Sequence, residues 1–164
     1  RTELPGAIEK LVVACAVILV VQFVLGGLVS SSYAGLACAT FPLCNSDSLA
    51  PSLAGPVGLH VLHRLNAYLL CGAYALLVWR ARGCERIGRL SALALGIAVS
   101  QVAVGVANVL MQVPREVTGL HSALATALAL TTAIVVREAL AGRLTASASA
   151  QVASRGPRAL EGAR

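Results

Sequence analysis

All three histidines of the chain fall inside long apolar runs. His60 and His63 stand three residues apart with Arg64 directly after them, and His121 lies in a later run. An ionisable side chain is costly to leave in hydrocarbon, so such residues face a bundle interior and mark a site, unless they only satisfy one another. At 1.5 Å per residue, His63 falls roughly 9 Å below the end of its run and His121 roughly 5 Å, one layer on two helices. Two imidazoles are too few for zinc, which takes three or four protein ligands. Copper would recruit Met or Cys, yet Met111 is the sole methionine, and Cys15 and Cys71 fall in the other half of their runs. Haem differs, because its porphyrin fills four positions and leaves two axial ones. The spacing therefore predicts His63 and His121 as axial ligands of a haem iron, with cofactor-free polar contacts between helices as the alternative.

His60 projects about 60° from His63 on the same helical face, so only one of them can ligate a given iron. Arg64 favours His63, because its guanidinium would meet haem propionates at the mouth. Its alternative is snorkelling to lipid headgroups. Cys38 and Cys44 lie in the link before this helix. A bridge there is expected if the link faces an oxidising compartment, and it would restrict the loop by roughly 2 kcal/mol. A tightly looped disulfide can also be redox-active, and two unpaired thiols are the remaining possibility. Cys84 is expected to stay reduced.

The elements that must position these groups follow from composition. The chain of 164 residues is 57% hydrophobic and only 12% charged, more apolar than a soluble domain of this length needs. Four runs, about 10–33, 57–79, 90–111 and 118–136, each approach the ~20 residues that cross a bilayer. The first and third leave no polar face to meet water, which argues against a soluble bundle. The fold class is therefore all-α, a polytopic membrane four-helix bundle occupying 1–140, followed by a disordered cytoplasmic tail at 141–164. Arg80, Arg82, Arg86 and Arg89 crowd the middle link, and further basic residues flank the two ends. Lys and Arg sort to the cytoplasmic side, so both termini are predicted cytoplasmic and the Cys38/Cys44 loop lies outside, in a multi-pass protein of the cell's inner (plasma) membrane. The net charge of +6 is split among juxtamembrane sites without interleaved aromatics, so nucleic acid is not an expected partner; the bilayer is. No signal peptide is read at the start.

A weak internal repeat runs through this plan. Gln22-Phe-Val-Leu-Gly26 in the first run is echoed by Gln101-Val-Ala-Val-Gly105 in the third, and each is followed by a histidine-bearing helix. Close helix packing through small residues is the plainer explanation.

Several motifs occur together in order: Leu25-Gly-Gly-Leu-Val29, Ala34-Gly-Leu-Ala-Cys38, Phe41-Pro-Leu-Cys44, His60-Val-Leu-His-Arg64, Gln101 to Gly105 and His121-Ser-Ala-Leu-Ala125. Together they resemble the haem A synthase family over about residues 21–125. The Cys pair followed by a His-Arg helix is the specific element. Members usually have eight membrane helices in two similar halves, and they oxidise the methyl group of haem O to the formyl group of haem A for cytochrome oxidase assembly. The resemblance implies one such half, with His63 and His121 as axial ligands of haem B, haem O as substrate, and Cys38 and Cys44 as the outer-loop pair. Where the family's amino-terminal half carries a glutamate three residues before the histidine, this chain has His60. That makes His60 the candidate catalytic residue and makes the chain more like the carboxy-terminal half. The expected partners are a second four-helix half or another copy, and haem O synthase. A haem-B electron carrier or haem-binding subunit without its own catalysis is the alternative, and a purely structural membrane subunit is a third reading.

Overall fold

The computed structural model describes residues 6–42, 44 and 53–155. Four helices account for nearly all of them: α1 (Gly6–Ser31), α2 (Gly55–Arg80), α3 (Glu85–Leu110) and α4 (Arg115–Arg155). Each contains a stretch long and apolar enough to cross a membrane. The helices run up and down, and each packs mainly on its sequence neighbours, with α1 also touching α4 to close the ring.

Helical spacing explains why this sequence makes a bundle. On α1, Ile8, Val12, Cys15 and Leu19 recur every three or four residues and are buried. Leu70, Tyr74 and Leu77 on α2, Ala94 and Ala98 on α3, and Leu128 and Val135 on α4 meet them in one core. The opposite face of α1, with Val13, Val17, Val20 and Val24, is about 56–62% exposed. A row of exposed valines is an outward face suited to lipid rather than water. The chain is thus an all-α, multi-pass membrane bundle.

Burial is uneven along the bundle axis. The core occupies the half nearer the arginine-rich link, where Tyr74 donates a hydrogen bond to Thr132 Oγ1 at 2.6 Å, and Thr132 in turn donates to the Leu128 carbonyl at 2.7 Å. At that same end Arg86 reaches Glu138 at 3.1 Å, tying α3 to α4, and Arg89 pairs with Glu85. The half nearer the disulfide-bearing link is hollow instead.

The described first part of that link, residues 32–42, folds back over the hollow end, where Gly35 and Phe41 line the cavity. A single 3₁₀ turn at Ala34–Leu36 follows α1, and Cys38 is bonded to Cys44, their Cα atoms 4.8 Å apart. The start of α2 is set by Pro56 at its first turn and by Gly55, whose φ of +64° takes the left-handed region. Gly58 must also be glycine, since a Cβ there would stand 2.1 Å from the Leu53 carbonyl.

The four expected spans overlap α1 to α4, whose ends lie up to five residues away for the first three, and the fourth helix runs further. α4 does not stop near Val136; it continues to Arg155, so the stretch from 141, expected to be a disordered tail, is helical this far. Residues 137–155 hold six alanines and three arginines and contain no proline, and the next proline is Pro157. Low apolar content predicts that a segment lacks a core of its own, whereas local propensity favours helix when a stable helix is already nucleated. Residues 156–164 lie outside the described residues.

Candidate functional site

The hollow half holds a cavity of about 570 Å³, within the ~300–1,000 Å³ range of small-molecule and cofactor sites. All four helices line it, and all three histidines and Arg64 face it. His63 on α2 and His121 on α4, expected at one depth, thus line the same cavity.

Each of the two expected ligands is seated against a glycine of the preceding helix. A Cβ on Gly26 would lie 3.2 Å from His63 Cε1, and one on Gly105 would lie 3.0 Å from His121 Cε1. Both distances are tighter than ordinary contact, so a larger residue at either position would require the imidazole to give by a few tenths of an ångström. The glutamine one turn earlier accompanies each histidine. Gln22 Nε2 sits 3.3 Å from His63 Nδ1 and 3.4 Å from His63 Nε2, and Gln101 lines the cavity with His121. The repeat of Gln and Gly thus has a structural counterpart in two helix pairs, α1 with α2 and α3 with α4, that present their histidines alike.

The two halves differ in how their polar atoms are satisfied. His121 Nδ1 and Gln101 Oε1 are buried with no hydrogen-bond partner among the described residues. Buried nitrogen and oxygen atoms without partners are uncommon, and at a site they point to a ligand. His63 is engaged by Gln22, whose Oε1 accepts from Asn66 Nδ2 at 2.7 Å; the same Asn66 nitrogen donates to the Ile18 carbonyl at 3.1 Å.

His60 and Arg64 serve the link as well as the cavity. The buried His60 donates from Nδ1 to the Ala34 carbonyl at 3.0 Å, which fixes its tautomer and leaves Nε2 with the lone pair. One turn on, Arg64 donates to the Cys38 carbonyl at 2.7 Å and to the Thr40 carbonyl at 3.0 Å. The expected propionate partner is thus also a clamp on the loop, alongside the disulfide.

The donor set suits a haem. Imidazoles converge from two helices, a guanidinium stands at the link end, and two glycines open the space between. Among the described residues no group of three His, Cys, Asp or Glu side chains is placed to hold a bare metal ion. Sequence reasoning noticed Gln22 and Gln101 only as a repeat and missed Asn66. The available signal was spacing, since Asn66 lies three residues after His63 and shares its face.

Comparison with known proteins gives the family. A family model described as a cytochrome oxidase assembly protein (COX15-CtaA) matches residues 1–134. The haem A synthase of Shewanella oneidensis is 32% identical over 136 residues, covering 70% of this chain and 41% of that protein. That of Alkalihalophilus pseudofirmus is 36% identical over 120 residues, covering 68% and 40%, and that of Neorickettsia sennetsu is 29% identical over 137 residues, covering 76% and 42%. The chain spans about two fifths of the length of these curated relatives. No solved structure matches it significantly. The match over residues 1–134, on a membrane bundle whose histidines, disulfide and cavity share one end, makes the chain a member of the haem A synthase family.

Proposed function

We propose that the chain is a haem A synthase or one half of one, which binds haem B between His63 and His121 and takes part in oxidising the haem O methyl group to a formyl group. The observation that carries this reading is the pair of glycine-seated imidazoles on α2 and α4 facing one cavity. The overall conversion, CH3 plus water giving CHO with four protons and four electrons, needs an electron acceptor outside the chain. A haem held by His63 and His121 would supply electron transfer rather than oxygen activation.

The chain's own residues have distinct parts. His63 and His121 hold the iron, and Arg64 places a guanidinium where propionates would lie. His60, with Nδ1–H spent on the Ala34 carbonyl, has Nε2 available to accept a proton released by the oxidation. The disulfide loop, clamped by Arg64, covers the site on the outer side, and the arginine-rich link is cytoplasmic. A second four-helix half or another copy would complete the eight-helix arrangement, with haem O synthase delivering the substrate in the inner membrane.

One observation favours the narrower alternative of a haem-B electron-transfer unit, namely that His60 occupies the position where the resembled amino-terminal half has glutamate. The deciding experiment purifies the chain in mild detergent, identifies its haem by mass, and incubates it with haem O and an electron acceptor. Haem B in the protein and haem A in the products support the full proposal. Haem B without conversion supports the electron-transfer unit, and no haem at all contradicts both.

A further inference from the structure

The turn between α3 and α4 is strained, and two polar side chains meet beside it at the disulfide-bearing end of the cavity. Gln112 and Val113 both take the left-handed region, each with a φ of 61°, which is costly for the β-branched Val113. The Val113 N–H closes back on the Asn108 carbonyl at 2.7 Å. Within this tight reversal Asn108, near the end of α3, and Thr118, in the first turn of α4, come together, with Thr118 Oγ1 2.9 Å from Asn108 Oδ1. Both residues are half-buried, and both line the cavity.

An asparagine amide carries two N–H groups and a threonine one O–H. Whichever way the amide is turned, the bond between them spends one of these three donors and leaves two. No other side-chain hydrogen bond of either residue occurs among the described residues. Thr118 lies three residues before His121, and Asn108 three residues after the Gly105 on which His121 rests, so both stand roughly 4.5 Å nearer the disulfide-bearing end than that layer. Arg64 of α2 points to the same end, since two of its N–H groups reach the Cys38 and Thr40 carbonyls, and a guanidinium has three more. No Asp or Glu lines the cavity among the described residues. This end therefore combines a cation with spare donors and has no anion to meet them.

We propose that Asn108 and Thr118 form a second carboxylate anchor, which with Arg64 grips the two propionates of a porphyrin held between His63 and His121. The proposal rests on the bis-histidine reading and deepens it by fixing which edge of the porphyrin faces the disulfide-bearing end. The two helix pairs then share the work. Where α2 has Arg64 directly after its histidine, α4 has Ser122, whose hydroxyl is spent on the Thr118 carbonyl at 3.0 Å. Where α3 has Asn108 three residues after its glycine, α1 has Val29. Each pair thus contributes one imidazole and one anchor.

The test titrates the full chain, purified without haem in detergent, with haemin and separately with haemin dimethyl ester, whose two carboxyl groups carry no charge. Asn108→Asp keeps an oxygen for the Thr118 hydroxyl but sets a negative charge beside the propionates. Its haemin affinity should fall by about tenfold or more, the size of a lost hydrogen bond to a charged group, while its affinity for the ester stays within about twofold of the wild type. Thr118→Val should weaken haemin in the same selective way, and Thr118→Ser, which keeps the hydroxyl, should match the wild type. Equal losses for the two porphyrins in Asn108→Asp and Thr118→Val would make the pair a clasp between helices and overturn the proposal. So would unchanged haemin affinity in both. A wild type that takes up neither porphyrin sinks the haem reading itself, and this proposal with it.

Discussion

Gly105 lies so close to His121 that a Cβ at this position would stand 3.0 Å from the imidazole Cε1. The relation recurs between Gly26 and His63 at 3.2 Å. Both contacts cross from one helix to its partner in the same layer, so a side chain added at either glycine would press on the imidazole. Gly27, next to Gly26, serves as the internal control, since a Cβ there would meet nothing within 4 Å.

Gly105→Ala is therefore expected to push the His121 ring off its seat and to lower haem affinity roughly tenfold, an overpacking effect of about 1–3 kcal/mol. Gly26→Ala should act in the same direction on His63, more weakly. Haemin titration of the purified variants measures both, and Gly27→Ala should match the wild type. Equal effects at all three glycines would mean that helix propensity, and not the imidazole seat, is being read.

Loop retention should be shared between a covalent and a polar clamp. Removing the disulfide with Cys38→Ser and Cys44→Ser is expected to cost roughly 2 kcal/mol, while Arg64 still holds the Cys38 and Thr40 carbonyls. The double variant should insert normally and lose part of its thermal stability and haem retention. Adding Arg64→Ala should cost more than in the disulfide-intact protein, because the loop then has only the His60 contact left among these tethers. Melting curves in detergent for the set form a double-mutant cycle, and strict additivity would contradict a shared clamp.

Tyr74 and Thr132 belong to the core beneath the site rather than to the site. Tyr74→Phe removes one donor to Thr132, whose own hydrogen stays on the Leu128 carbonyl. The expected loss is about 0.5–1 kcal/mol of stability with an unchanged haem spectrum. A spectral change would show that the core and the cavity are coupled.

Orientation has its own test, in a Cys84→Ser background. A cysteine in place of the exposed Tyr33, beside the disulfide loop, should react with a membrane-impermeant thiol reagent on intact cells. One in place of the exposed Arg82, in the arginine-rich link, should not. The reverse pattern would put the histidine layer at the cytoplasmic face.

The membrane spans were legible because apolar runs of bilayer length have one economical structure, a helix that satisfies its own backbone. The histidine layer was legible for a similar reason, since helical rise converts sequence position into depth. What depth cannot report is the partner. Gln22 stands among valines, phenylalanine and leucine, and nothing in its neighbours predicts that Asn66, 44 residues away, will take its carbonyl oxygen and turn its amide to His63. Arg64 was read as a ligand partner at the mouth, yet its contacts are with loop carbonyls whose position depends on how the link folds back. The extension of α4 was hidden because composition showed that the segment lacks a core, while its helical propensity counts only once the preceding span has nucleated a helix.

The central claim is that His63 and His121 together hold one haem, and the most direct measurement is the optical and electron paramagnetic spectrum of the purified chain beside its His63→Ala and His121→Ala variants. The wild type should show a low-spin bis-histidine haem, and each single variant should lose it or turn high-spin. Wild-type spectra in both variants would contradict the account.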